Sequence, residues 1–138
     1  MTIFTSYYAN LRNIPTNIVP VAISQFPPDW YKGKKLRRLA PSQELLRLYK
    51  SGQITEDGYV ERYKTETLSQ FDPRTLCQNL YDYFGGKDVC LMCFEKPGDF
   101  CHRHLVSEWF RDAGYDAREW AVQMEQFSLF DDIPGEEE

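Results

Sequence analysis

The stretch that most constrains the fold is "KDVCLMCF", in which Val89 to Phe94 form six consecutive apolar residues behind the glycines Gly85 and Gly86. Six residues suit a strand and are too few for a helix of ordinary length. Because no polar position alternates, both faces of such a strand must be covered, the pattern of a central strand in a parallel sheet. The run passes through "EKPGDF" into "CHRHLVSEWFRDAG", where Leu105, Val106, Trp109 and Phe110 form a helical stripe that Gly114 ends. Strand, tight loop and helix are the unit of an α/β sheet.

The rest of the chain supplies partners for that unit. "TIFT" and "NIVPVAIS" read as strands, with Pro20 near a strand start or on an edge. "PSQELLRLYKSG", "TEDGYVERYKTETL" and "DPRTLCQNLYDYFGG" carry apolar residues at helical spacing. Thr55 and Asp72 are placed to cap, Pro73 takes a first turn, and Cys77 falls beside an apolar stripe as a small buried residue. "QFPPDWYKGKKLRRLAP" reads as one long loop, and its run Lys32, Lys34, Lys35, Arg37 and Arg38 as a solvated one. The expected fold is α/β: a small three-layer, largely parallel sheet of Rossmann-like type with a flexible C-terminal tail. Residues 1–120 form the single domain and 121–138 the acidic tail.

Composition narrows the functional classes. With 42% hydrophobic and 15% aromatic residues, 138 residues can bury a core. The formal charge of -5 is local: Asp131, Asp132, Glu136, Glu137 and Glu138 account for it, leaving 16 acids against 16 Lys and Arg in the body. A neutral body gives only weak support for nucleic-acid binding. No membrane span is expected, since no run reaches about 18 apolar residues, and no signal-peptide pattern opens the chain. A cytoplasmic location is therefore expected, with Cys77, Cys90, Cys93 and Cys101 as reduced thiols.

Chemistry concentrates in "EKPGDFCHRH". It leaves the carboxyl end of a strand, where α/β sheets bind ligands, and enters a helix whose first turn offers free N–H groups and a positive dipole end. Asp99 is placed to cap that helix. Glu95 and His102 are candidates for acid/base work, Cys101 for a nucleophile at a helix start, and Lys96 and Arg103 for holding an anionic or nucleotide ligand. Arg103 is equally able to close the loop through Glu95 or Asp99. Cys90, Cys93, Cys101 and His104 have zinc-ligand spacing, but positions three apart in a strand face opposite ways. No metal and no cofactor are therefore expected.

"LMCFEKPGDFCHRHLVSEWF" resembles the hallmark of the family known as domain of unknown function 488: a hydrophobic strand ending in Cys-x-Glu-Lys, a short loop, and Cys-His-Arg opening a helix. Cys93, Glu95, Lys96, Cys101, His102 and Arg103 match it. "TIFTSYYANLR" and "VPVAISQFPPDWYKGKKLRRLAPS" also resemble that family's first strand and the loop that follows. The resemblance implies a small α/β fold with a shared pocket into which Ser6, Tyr8, Ser24 and Trp30 also project; it implies no particular reaction.

The tail carries a second resemblance. "QFSLF" is similar to the peptide by which bacterial polymerases and repair proteins dock on the replication sliding clamp, with Gln126, Ser128, Leu129 and Phe130 matching. A chance match in a chain this long is on the order of one in a few hundred. The peptide implies a role in DNA replication or repair, the catalytic reading competing with a non-catalytic ligand- or DNA-binding adaptor and with a small structural-zinc protein.

Overall fold

The structure is a computed structural model and describes residues 1–95 and 100–121. Lys96, Asp99, Gln126, Ser128, Leu129 and Phe130 lie outside the described residues. Among the described residues five strands, β1 (Ile3–Tyr7), β2 (Val19–Ala22), β3 (Lys34–Lys35), β4 (Val89–Cys93) and β5 (Ala117–Glu119), form one sheet in the order β3-β2-β4-β1-β5. Every neighbouring pair is parallel, with Tyr7 opposite Cys93, Ala22 opposite Met92 and Thr5 opposite Glu119. The continuous apolar run is β4, central and buried at all five positions, as the sequence requires.

Among the described residues four α-helices join the strands: α1 (Gln43–Lys50), α2 (Glu56–Glu66), α3 (Pro73–Tyr83) and α4 (His102–Asp112). Ser42, Thr55 and Asp72 cap the first three by accepting from Leu45, Gly58 and Thr75 N–H groups. After α3, Gly85 and Gly86 both take positive φ, which turns the chain back toward β4. Cys101 is the N-cap of α4, with no side-chain cap bond among the described residues.

Alternation along the strands divides the core in two. Ile3, Val21, Ile23, Val89, Leu91 and Cys93 face a cluster completed by Leu45 of α1, Tyr59 and Tyr63 of α2, Leu76 and Leu80 of α3, and Val106 and Phe110 of α4. Ala22, Cys90 and Met92 face the opposite layer, built by Tyr8 of a 3-10 helix (Tyr8–Asn13), Ile14, Ile18, Tyr31 and Trp120. The fold is thus a three-layer α/β structure whose helices gather on one face and whose third layer is thin.

Three elements near the site depart from the sequence reading. The expected long loop contains β3 and a 3-10 helix (Arg37–Leu39), and β5 forms where no element is expected. Strands of two and three residues are too short to show a period, so only pairing with β2 and β1 defines them. The 3-10 turn is held by Tyr63, whose hydroxyl donates to the Leu39 carbonyl at 2.5 Å.

Candidate functional site

The register of β4 decides which cysteines meet. Odd positions face the helices, so Cys93 emerges at the carboxyl end of β4 against the first turn of α4, where the sulfurs of Cys93 and Cys101 are bonded. The expectation of reduced thiols is corrected for this pair, because two sulfurs delivered to one face by a strand end and a helix start lie in bonding range. Cys77 and Cys90 remain free thiols. Cys90 points into the opposite layer, so the four-residue zinc spacing does not converge, and exposed His104 does not join it. A different set does converge: Cys93 Sγ, Cys101 Sγ and a ring nitrogen of His102 lie within 4.8 Å of one another, all three residues buried.

His102 is held in one tautomer. Its Nε2 lies 2.7 Å from the Ile23 carbonyl oxygen, which can only accept, so Nε2 carries the proton and Nδ1 presents a lone pair. That Nδ1 sits 3.8 Å from Cys101 Sγ. Burial is the main reason the imidazole is pushed down from 6.5 to about 4; the Ile23 contact opposes the shift, and the Arg103 and His104 charges add to it. His102 is therefore neutral near pH 7.

Arg103 is fully buried and every nitrogen of its guanidinium is engaged. Nε and Nη2 donate to the two carboxylate oxygens of Glu119, each at 3.0 Å, a bidentate clasp. Nη1 donates to Cys93 Sγ at 3.2 Å and to the Glu95 carbonyl oxygen. Thr5 completes the network by donating its hydroxyl to Glu119 at 2.6 Å. The structure thus places the arginine of the sequence motif in an internal ion pair, with Glu119 as its carboxylate partner among the described residues. Glu119 escaped the sequence reading because it lies in the three-residue β5. Its one sequence signal, the alternation of Ala117, Glu119 and intervening Arg118, is too short to stand alone.

Cys101 and His102 form one wall of a cavity of about 200 Å³ that also touches Ser24, Gln25, Tyr49, Lys50, Tyr59, Glu95 and Phe100. Tyr8 reaches it indirectly, donating its hydroxyl to Ser24 Oγ at 3.1 Å, and burial raises its phenol's pKa. Ser6 is buried on the far face of the sheet, accepting from Asn10, and is not brought to the cavity. Trp30 is 55% exposed and packs edge-on against Tyr8 outside it. A larger cavity of about 520 Å³ lies between β3 and α3, lined by Lys34, Arg38, Phe71 and Tyr83 among others, and contains none of the motif residues. The smaller one holds the Cys101 sulfur, the His102 imidazole and the Glu95 carboxylate, the groups that can do chemistry, and is therefore the candidate site.

The parallel sheet and the strand-to-helix junction with its paired cysteines and imidazole define a Rossmann-like α/β domain whose candidate site lies at the carboxyl edge. Within that class the chain belongs to the DUF488-N3a family, described as the active DUF488-N3 subclade, whose model matches residues 9–114. The match includes Cys93, Glu95, Cys101, His102 and Arg103 and ends before Glu119. No curated protein and no solved structure matches the chain.

Proposed function

We propose that this protein is a small-molecule enzyme whose reduced form uses Cys101 as nucleophile and His102 as its base. One observation carries the reading: the unprotonated Nδ1 of His102 faces Cys101 Sγ at 3.8 Å, at the wall of a cavity, with the ring fixed by the Ile23 carbonyl. As the sulfur of Cys101 adds to an electrophilic centre of the substrate, its proton passes to Nδ1, so His102 is charged only during the addition. As the bond to the leaving group breaks, the proton held on Nδ1 passes to that group, and Glu95, also lining the cavity, takes the proton of the water that then frees Cys101. Arg103 acts as a positioning residue through Glu119, Cys93 and the Glu95 backbone. The substrate class we infer is anionic or nucleotide-like, because Lys50 borders the cavity and the first turn of α4 opens onto it. The family's description as an active subclade accords with catalysis.

The test needs no known substrate. After reduction, Cys101 should be alkylated by a neutral electrophile at least about tenfold faster than buried Cys90, and His102→Ala should slow it while the circular dichroism spectrum holds. Equal rates at Cys101 and Cys90 would remove the nucleophile. Inorganic phosphate and nucleoside monophosphates should raise the melting temperature, and Lys50→Ala should cancel that rise; no rise with any of them rejects the anionic substrate.

A cytoplasmic role in DNA replication or repair is the place this proposal gives the enzyme, supported by the peptide Gln126, Ser128, Leu129 and Phe130. Leu129 and Phe130 would fill an apolar pocket on a bacterial sliding clamp while Gln126 makes directional hydrogen bonds, with affinity on the order of micromolar. Full-length protein should bind such a clamp and Leu129→Ala with Phe130→Ala should not. Absence of binding by the unaltered chain removes the partner and leaves the chemistry of the pocket untouched.

A further inference from the structure

The geometry points to a metal centre: in the dithiol form, Cys93 Sγ, Cys101 Sγ and His102 Nδ1 hold one zinc ion, with the fourth position turned toward the cavity of about 200 Å³. Two thiolates and an imidazole are the ligand set that suits zinc, and three protein ligands with an open position mark zinc sites that meet a small molecule. The inference goes beyond the nucleophile reading, since in the loaded form Cys101 is a ligand and its nucleophilicity is stored.

The two sulfurs, bonded in this structure, must part to about 3.8 Å to share the ion, whereas the Cys101–His102 spacing already suits it. Zinc bonds of about 2.3 Å to sulfur and about 2.0–2.1 Å to nitrogen at a tetrahedral angle separate the two donors by about 3.6 Å. Cys101 Sγ and His102 Nδ1 stand 3.8 Å apart. The outer contacts are also those of a metal site. Metal-binding histidines donate their second ring N–H to a carbonyl or carboxylate, and His102 donates Nε2–H to the Ile23 carbonyl at 2.7 Å. Arg103 aims a charged N–H at Cys93 Sγ at 3.2 Å, a contact that rewards a thiolate far more than a neutral sulfur. Charge closes as well: zinc with two thiolates is neutral, and Arg103 is already balanced by Glu119.

Loading requires the disulfide to open. A phosphine reductant and one water convert it to two thiols and a phosphine oxide, and zinc then displaces two protons from those thiols. The site therefore has three states: disulfide, free dithiol and metal-bound.

The test uses the full chain, reduced with a water-soluble phosphine under inert gas, freed of reductant, and titrated with zinc against a chromophoric chelator. One equivalent should bind to the reduced chain and none to the oxidised one, and cobalt should give thiolate charge-transfer absorption. Cys93→Ser and His102→Ala should weaken zinc binding by more than about 100-fold, the upper end of what losing an outer partner costs. Cys77→Ser and Cys90→Ala should not weaken it. Independently of any variant, zinc should protect Cys93 and Cys101 of the unaltered protein from alkylation. Failure of the reduced chain to take up zinc, or uptake that leaves both cysteines unprotected, overturns the metal centre. Fast alkylation of Cys101 in the metal-free reduced chain reports on the nucleophile alone, so the two readings fail separately.

Discussion

Cys90 and Cys93 stand three residues apart in β4, yet they occupy different chemical surroundings. Cys90 faces the thin layer among Tyr8, Tyr31 and Met92, and burial pushes its thiol far up, the Glu119 charge adding to the shift. Cys93 faces α4, bonded to Cys101 and touched by the Arg103 guanidinium. Hydrophobicity makes these two cysteines indistinguishable; the pleat separates them. What makes a buried sulfur chemically available is therefore which layer it faces and which polar groups that layer can bring.

The contrast breaks most severely at Arg103. Arg103→Leu strips Glu119 of its bidentate partner and frees the Glu95 carbonyl, so the helix-side face should lose stability. Removing one member of a buried pair costs about 3–5 kcal/mol, and Glu119, 27% exposed, places the loss near the lower figure. Urea denaturation of the oxidised chain reads it, and a loss below about 1 kcal/mol would mean the clasp is unimportant.

Acid should act next, through His102. Its pKa is 6.5 unfolded and about 4 folded, so between those values the unfolded chain binds a proton that the folded chain refuses. Stability is then complete above about pH 6.5 and falls as the pH drops toward 4, by up to about 3 kcal/mol. Denaturation midpoints across this range should show the slope for the metal-free disulfide form, His102→Gln should flatten it, and His104→Gln, exposed, should leave most of it. A slope unchanged in His102→Gln would assign the titration elsewhere.

The smallest effect belongs to the quiet face. Cys90→Ser places a hydroxyl among apolar neighbours and should cost about 1–3 kcal/mol while leaving Cys101 alkylation in the reduced chain unaltered. A change in that rate would show that the two faces communicate.

Much of this was legible in the sequence because the signals were long. β4 announced itself as six apolar residues, α2 and α3 through the caps Thr55 and Asp72, and the junction through Cys101, His102 and Arg103. Of the loop's candidate residues, Glu95, Cys101 and His102 line one cavity. What could not be read was whatever depends on pairing distant segments. β3 and β5 are shorter than any period, and Glu119 becomes Arg103's partner only because β5 lies beside β1. Likewise the Cys93–Cys101 bond follows from strand parity and helix position together, whereas the spacing of cysteines suggested a set including Cys90, which faces the other way.

The link from Thr5 to Glu119 spans 114 positions of chain. A contact so distant in sequence forms only after nearly the whole domain has left the ribosome, since loop closure must precede the reward of the contact. A nascent chain ending before β5 has the strand end, the thiols and the imidazole but lacks the carboxylate that fixes Arg103. The order of synthesis thus delays completion of the Arg103 network until β5, the last strand among the described residues, has been made.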